Sequence, residues 1–101
     1  MKEFIIQEFE KAGEDRLGDP IFEWTEKCRA KGYMDLLSGK EATDDKNFLA
    51  KATHVAIIFD SGKPITNRDR LIHDGTAYEI TYVDNPMGLG SHLEVFVKGV
   101  E

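Results

Sequence analysis

With one cysteine in 101 residues, Cys28, the sequence cannot form an intrachain disulfide. A lone thiol suits a reducing compartment, so the chain is expected to be made and folded in the cytoplasm. Long apolar runs are also missing. The first residues, MKEFIIQEFEKAGEDR, hold only three consecutive apolar positions, so no signal peptide is expected. No stretch approaches the roughly 20 apolar residues of a membrane span, and no membrane partner is expected. Basic clusters are absent as well: 13 Lys and Arg face 19 Asp and Glu, for a net charge of −6. Non-specific nucleic-acid binding needs clustered bases to displace counterions from phosphates, and this composition argues against it.

What is present is a soluble-domain composition, 41% hydrophobic and 32% charged. The length fits one domain over residues 1–101. A domain this small buries only about two-thirds of its unfolded surface, so assembly would be a plausible further source of stability.

The second half carries three apolar-alternating runs separated by turn-rich breaks: residues 53–60 (THVAIIFD), 70–84 (RLIHDGTAYEITYVD) and 91–100 (SHLEVFVKGV). Asp74-Gly75 inside the middle run is a strong hairpin signal. Alternation predicts three inward sets: Val55, Ile57 and Phe59; Tyr78, Ile80 and Tyr82; Leu93, Val95 and Val97. The opposite faces carry His54, Glu79, Thr81, Glu94 and Lys98. In the first half, residues 4–9, 21–25 and 28–37 read as three strands, with a loose connection at 11–20. Gly32 marks a bulge or bend in the third.

Residues 38–52 (SGKEATDDKNFLAKA) break the β pattern. Ser38 and Glu41 have capping-box spacing, but Thr43, Asp44, Asp45 and Asn47 suit a helix interior poorly. A mobile polar excursion, partly helical at most, is expected. Ordinary connections run about 4–6 residues, so a loop this long is usually put to use. The expected architecture is mainly β: a small antiparallel barrel of about six strands with this long loop.

Catalytic candidates weigh little. His54, His73 and His92 lie nineteen residues apart on different strands and are expected at the surface or an edge. Close metal motifs place ligands two to five residues apart, so no metal is expected. Cys28 lacks a nucleophile elbow and reads as an inert packed thiol. Asp44-Asp45 reads as solvated charge rather than an acid–base pair. Residues 88–90 (GLG) lack the lysine and helix of a phosphate loop. Phe22, Trp24, Tyr33, Tyr78 and Tyr82 could stack bases as in OB-type barrels, but the acidic balance favours placing them in the core. No enzyme activity and no cofactor are expected.

The order of segments resembles the head–tail joining, or head-closure, proteins of long-tailed bacteriophages and prophages. Its elements here are FIIQEF, the glycine-containing GEDRLGDP and the aromatic IFEW, followed by Leu37-Ser38-Gly39-Lys40-Glu41 in place of an LSG-x-E motif. Then come THVAII, residues 70–86 (RLIHDGTAYEITYVDNP) and the terminal HLEVFVKGV. The resemblance implies a structural virion protein at the head–tail interface. It implies a ring below the portal or adaptor protein that closes the DNA-filled head and offers a surface for the tail terminator. It further implies that the excursion faces the channel as a stopper, with Ser38, Gly39, Lys40, Glu41, Asp44, Asp45, Lys46, Asn47 and Phe48 as its residues. The expected partners are other copies of the chain, portal or adaptor, tail terminator, and enclosed DNA bound without sequence preference. Two alternatives stay open: a tail-completion or adaptor protein of the same architecture, and an OB-like nucleic-acid-binding module.

Overall fold

The computed structural model describes residues 1–37, 52–61, 63–85 and 92–99. Six strands run through them: β1 (Lys2–Glu14), β2 (Pro20–Leu36), β3 (His54–Ser61), β4 (Arg70–His73), β5 (Thr76–Asp84) and β6 (Leu93–Gly99). Among the described residues none is helical. All pairings are antiparallel, in the order β1-β2-β3-β6-β5-β4, and β4 pairs back to β1 to close the sheet on itself as a barrel. The expected β architecture is there; its part-helical excursion falls at 38–51, outside the described residues.

The first half departs from the three expected strands. Residues 21–25 and 28–36 belong to one strand, β2. The apparent break is a bulge: Ile6 pairs with Cys28 and Gln7 with Glu26, leaving Lys27 as the extra residue. A bulge bends a strand without ending it, and its polar residues look like a turn in sequence. The expected loop at 11–20 likewise shrinks, because pairing persists to Glu14 opposite Pro20. The Asp15 carboxylate then ties the turn by accepting the backbone N–H groups of Leu17 and Asp19 at 2.8 and 2.9 Å.

The core is narrow, and that decides what fills it. Each strand sends in one or two side chains: Phe4 and Ile6, Cys28 and Ala30, Ala56 and Ile58, Leu71, Ile80, Val95 and Val97, with Ile65 from the β3–β4 connection. Eight strands give an interior just wide enough to be filled by side chains, and six leave less. Small residues face large ones accordingly, and most of the aromatics are pushed outward. Of the five aromatics expected inside, only Tyr78 packs against the core; Phe22, Tyr33 and Tyr82 are exposed, and Trp24 is half-buried outside it.

The same constraint corrects β3. Its inward pair is Ala56 and Ile58, while Phe59 points out and Val55 and Ile57 are only half-buried. In VAIIF both registers are apolar, so alternation could not choose between them. On β5 the expectation holds to Ile80 and then fails. Thr81 is an extra residue between the Ile80–Val97 and Tyr82–Phe96 pairs, which turns Tyr82 out and brings Val83 against the core. On β6 Val95 and Val97 are buried and Leu93 packs against them, as expected.

Two glycines are required by geometry. Asp74 and Gly75 both have positive φ, 50° and 78°, joining His73 to Thr76 in the two-residue hairpin that the sequence announces. Gly32 sits beside a second bulge, where Lys31 pairs with Asp60 and Gly32 with Ile58. A Cβ at Gly32 would run into the Ile57 carbonyl, so the backbones of β2 and β3 approach only because the side chain is missing.

The bulge at Lys27 has a second consequence. It aims Lys27 at Asp69, and their Nζ and Oδ2 atoms meet at 2.9 Å with side chains 15% and 4% exposed. The same Asp69 oxygen accepts the Thr66 N–H at 2.9 Å, and the Asp69 N–H returns to the Thr66 carbonyl at 3.1 Å. A buried carboxylate thus pins the connection between β3 and β4 to the middle of β2.

Candidate assembly surface

Two features leave the closed barrel at opposite ends. At one end the chain departs after Leu37 and returns at Ala52. The Leu37 N–H donates to the Thr53 carbonyl at 2.9 Å, and the Thr53 N–H donates to Val97 O at 2.8 Å. Ala52 is buried. Exit and entry are thus clamped side by side at the mouth that also carries the Asp74-Gly75 turn. Ser38, Gly39, Lys40, Glu41, Asp44, Asp45, Lys46, Asn47 and Phe48 lie between these anchors and outside the described residues.

The mouth beneath the anchors is lined by imidazole and aromatic rings. His54 stands edge-on to Tyr78 at 5.4 Å, and its Nδ1 lies 2.9 Å from the Thr53 hydroxyl. His73 meets Phe4 edge-on at 5.1 Å. His73 was expected at the surface or an edge, but its side chain is 14% exposed, because alternation from Leu71 turns it inward. Its Nδ1 is buried with no hydrogen-bond partner, while Nε2 lies 3.4 Å from Asp74. Among the described residues no group of three or more His, Cys, Asp or Glu could hold a metal ion. Cys28 is packed into the wall, with its thiol 3.9 Å from the Lys63 carbonyl.

At the other end β1 and β2 outrun their neighbours. Pairing of β1 with β4 stops at Gln7, and β2 meets β3 only from Ala30. Residues 8–14 and 20–26 therefore pair only with each other, as a two-stranded arm of about 23 Å. Phe9 pairs with Trp24 and Lys11 with Phe22, so these four share one face with Gln7 and Glu26. Phe9 stacks on Phe22 at 5.6 Å and tilts against Trp24 at 5.2 Å. The Arg70 guanidinium lies 4.5 Å over the Trp24 ring, and its Nε donates to Gln7 Oε1 at 2.7 Å. Glu8, Glu10, Glu23 and Thr25 make the other face, where the Thr25 hydroxyl donates to Glu10 at 2.8 Å.

A second apolar band crosses the outside of the barrel on β5, β6, β3 and β2. Tyr82 packs on Phe96 at 6.2 Å, Phe96 pairs with Val55, and Ile57 pairs with Tyr33. Tyr33 and Phe59 meet edge-on at 6.1 Å, and Phe59 tilts against His92 at the same distance. Asp35 and Asp60 stand exposed at its margins. Further along β2, Arg29 is held above its usual pKa by its hydrogen bond to Glu26 and then by Glu3. Sequence reasoning placed Tyr33, Phe59 and Tyr82 inside. The missed signal was their number: a six-stranded interior has no room for so many rings.

The fold is a closed antiparallel β framework with exposed aromatic faces, of the kind that marks interaction surfaces. Residues 2–100 match the phage head completion protein family, and the chain belongs to it. That is a family of structural virion proteins of the phage head. The solution structure of protein SF1141 from Shigella flexneri 2a is similar in fold, with a TM-score of 0.77 and 21% identity over 98% of this chain and 91% of that one. A chain in the virion of a native gene transfer agent particle is similar at a TM-score of 0.56 and 13% identity, covering 99% of this chain and 94% of that one. No curated protein gives a significant match.

Proposed function

We propose that the chain closes the DNA-filled head as one subunit of a ring below the portal or adaptor protein, and that the ring offers the surface to which the tail terminator attaches. Membership of the head completion family over residues 2–100 carries this reading. The subunits are made in the host cytoplasm and taken up into the virion during assembly. Within the ring, residues 38–51 face the channel as its stopper. The paired anchors at Leu37 and Thr53 support this, because a segment clamped at both feet can project from one end of the barrel without disturbing its core.

Three acidic residues on that segment, Glu41, Asp44 and Asp45, are repeated in every copy of a ring. They balance Lys40, Lys46 and Lys51 on the same segment, so the channel wall offers DNA phosphates no net positive charge to adhere to. Genome DNA is thereby enclosed rather than bound. The test is a particle assembled with the D44K/D45K double variant, compared with wild type for DNA retained in the head and released on triggering. Slowed or incomplete release is expected; unchanged retention and ejection would count against the channel role. Removing the protein altogether should leave heads that are filled, tail-less and prone to lose their DNA. Tailed, DNA-tight particles without it would overturn the head-closure reading.

A further inference from the structure

The aromatic face of the arm and the apolar band on the barrel are separate surfaces: the first lies on residues 7–11 and 22–26 of β1 and β2, the second on β5, β6, β3 and the far end of β2. The arm face is built on β1 and β2, with Arg70 contributed from β4. The band runs from Tyr82 on β5 across β6 and β3 to Tyr33 near the end of β2 farthest from the arm.

Their charges are opposite. Around the arm face, Arg68 and Arg70 have no carboxylate partner among the described residues: Arg70 is met by the neutral Gln7 amide and the Trp24 ring. The carboxylates nearby are engaged elsewhere, Asp69 by Lys27, Glu79 by Lys98 and Glu26 by Arg29. At the margins of the band, Asp35, Asp60 and Asp84 are carboxylates without an ion pair among the described residues; Lys31 stands opposite Asp60 in register but makes no bridge to it.

We propose that the occupant of the arm face is a second copy of this chain, docking through its Tyr33–Phe59 band. Phe9, Phe22 and Trp24 of one subunit cover Tyr33, Phe59 and Ile57 of the next, with Arg68 and Arg70 set against Asp35 and Asp60. The two faces are built from different residues, so the contact is heterologous. Each subunit keeps one free face after pairing, and repetition closes a ring if the rotation allows it. Apolar rings supply the area, and the charges fix which face meets which. This rests on the head-closure reading for the setting in which the copies meet.

The test places a photo-crosslinking benzoylphenylalanine at Phe22 and irradiates purified particles. Position 22 is half exposed and outside the core, so folding is not at stake. Expected are ladders of the chain, with adducts joining position 22 to peptides around residues 33 or 59 of another copy. Particles that contain the protein but give adducts from position 22 to another virion protein, to the arm of a second copy, or to nothing overturn the docking and leave head closure standing. Particles that lack the protein overturn head closure, and the docking with it. A charge-swap series reads the same contact without the label. Arg68→Glu should cut the yield of infectious particles at least tenfold, and so should Asp35→Lys, while the double variant should recover most of that loss. Losses that simply multiply in the double variant would overturn the pairing.

Discussion

The barrel and the arm are built from the same two strands, yet different forces hold them. At residues 5–7 of β1 and 30–32 of β2 the strands have neighbours on both sides, and in and beside these stretches they bury Phe4, Ile6, Cys28 and Ala30. Along residues 8–14 and 20–26 they have only each other. An isolated two-stranded ribbon is marginal in water, because it has one side to fold against and no core. What stiffens it is the cluster of Phe9, Phe22 and Trp24 under Arg70, and the ion pair of Lys27 and Asp69 at its root. Stability therefore sits in the barrel, while exposed contact area sits on the arm. Large apolar rings tolerated on a small ribbon make sense for a surface that becomes buried on assembly.

The largest effect should come from breaking the joint between the two regions. Asp69→Ala strands the Lys27 ammonium in a mostly buried site and releases the Thr66 N–H, at a cost of about 3–5 kcal/mol by urea unfolding. A cost near zero would mean that the pair is not what anchors the connection. Gly32→Ala should follow. The added methyl meets the Ile57 carbonyl where β2 and β3 approach, and overpacking of that kind costs about 1–3 kcal/mol. Its thermal midpoint should fall while the hydrodynamic size of the folded monomer stays the same.

Gly75→Val attacks the barrel at its tightest turn, where the φ of 78° disfavours a β-branched side chain. A loss of about 1–2 kcal/mol is expected, read again by urea unfolding. Smallest in stability should be Phe22→Ser on the arm, within about 0.5 kcal/mol of wild type, as for surface positions generally. If the division of labour is right, this variant folds normally and fails in particle assembly. Hydrogen exchange gives the same contrast without mutation. Amides of Val95 and Ile58 should be strongly protected, and those of residues 9–11 and 21–24 should exchange far sooner. Equal protection would mean that the arm is held by more than its own pairing and the Phe9–Phe22–Trp24 cluster.

Much of the fold was legible in the residues. The Asp74-Gly75 hairpin, the terminal strand with Val95 and Val97 inside, and the bulge at Gly32 follow from turn chemistry and alternation. The excursion at 38–52 stood out by length and polarity, and its anchors at Leu37 and Thr53 fall where the pattern breaks. Legibility failed where periodicity was ambiguous or interrupted. VAIIF is apolar on both faces, so the inward choice of Ala56 and Ile58 had to come from the space available. Lys27 and Thr81 each add one residue, and each resets the alternation beyond it.

By itself, then, the sequence determined that this is an antiparallel β chain, where its turns fall, and that one long polar segment interrupts it. Those are local properties, set by side-chain period and backbone preference within a few residues. Only the tertiary structure decided which rings face outward, that Lys27 reaches Asp69 across 42 positions, and that the arm face and the apolar band form two separate surfaces. Closing six strands fixes the width of the interior and the identity of facing walls. Both are properties of the whole ring, and no window along the chain contains them.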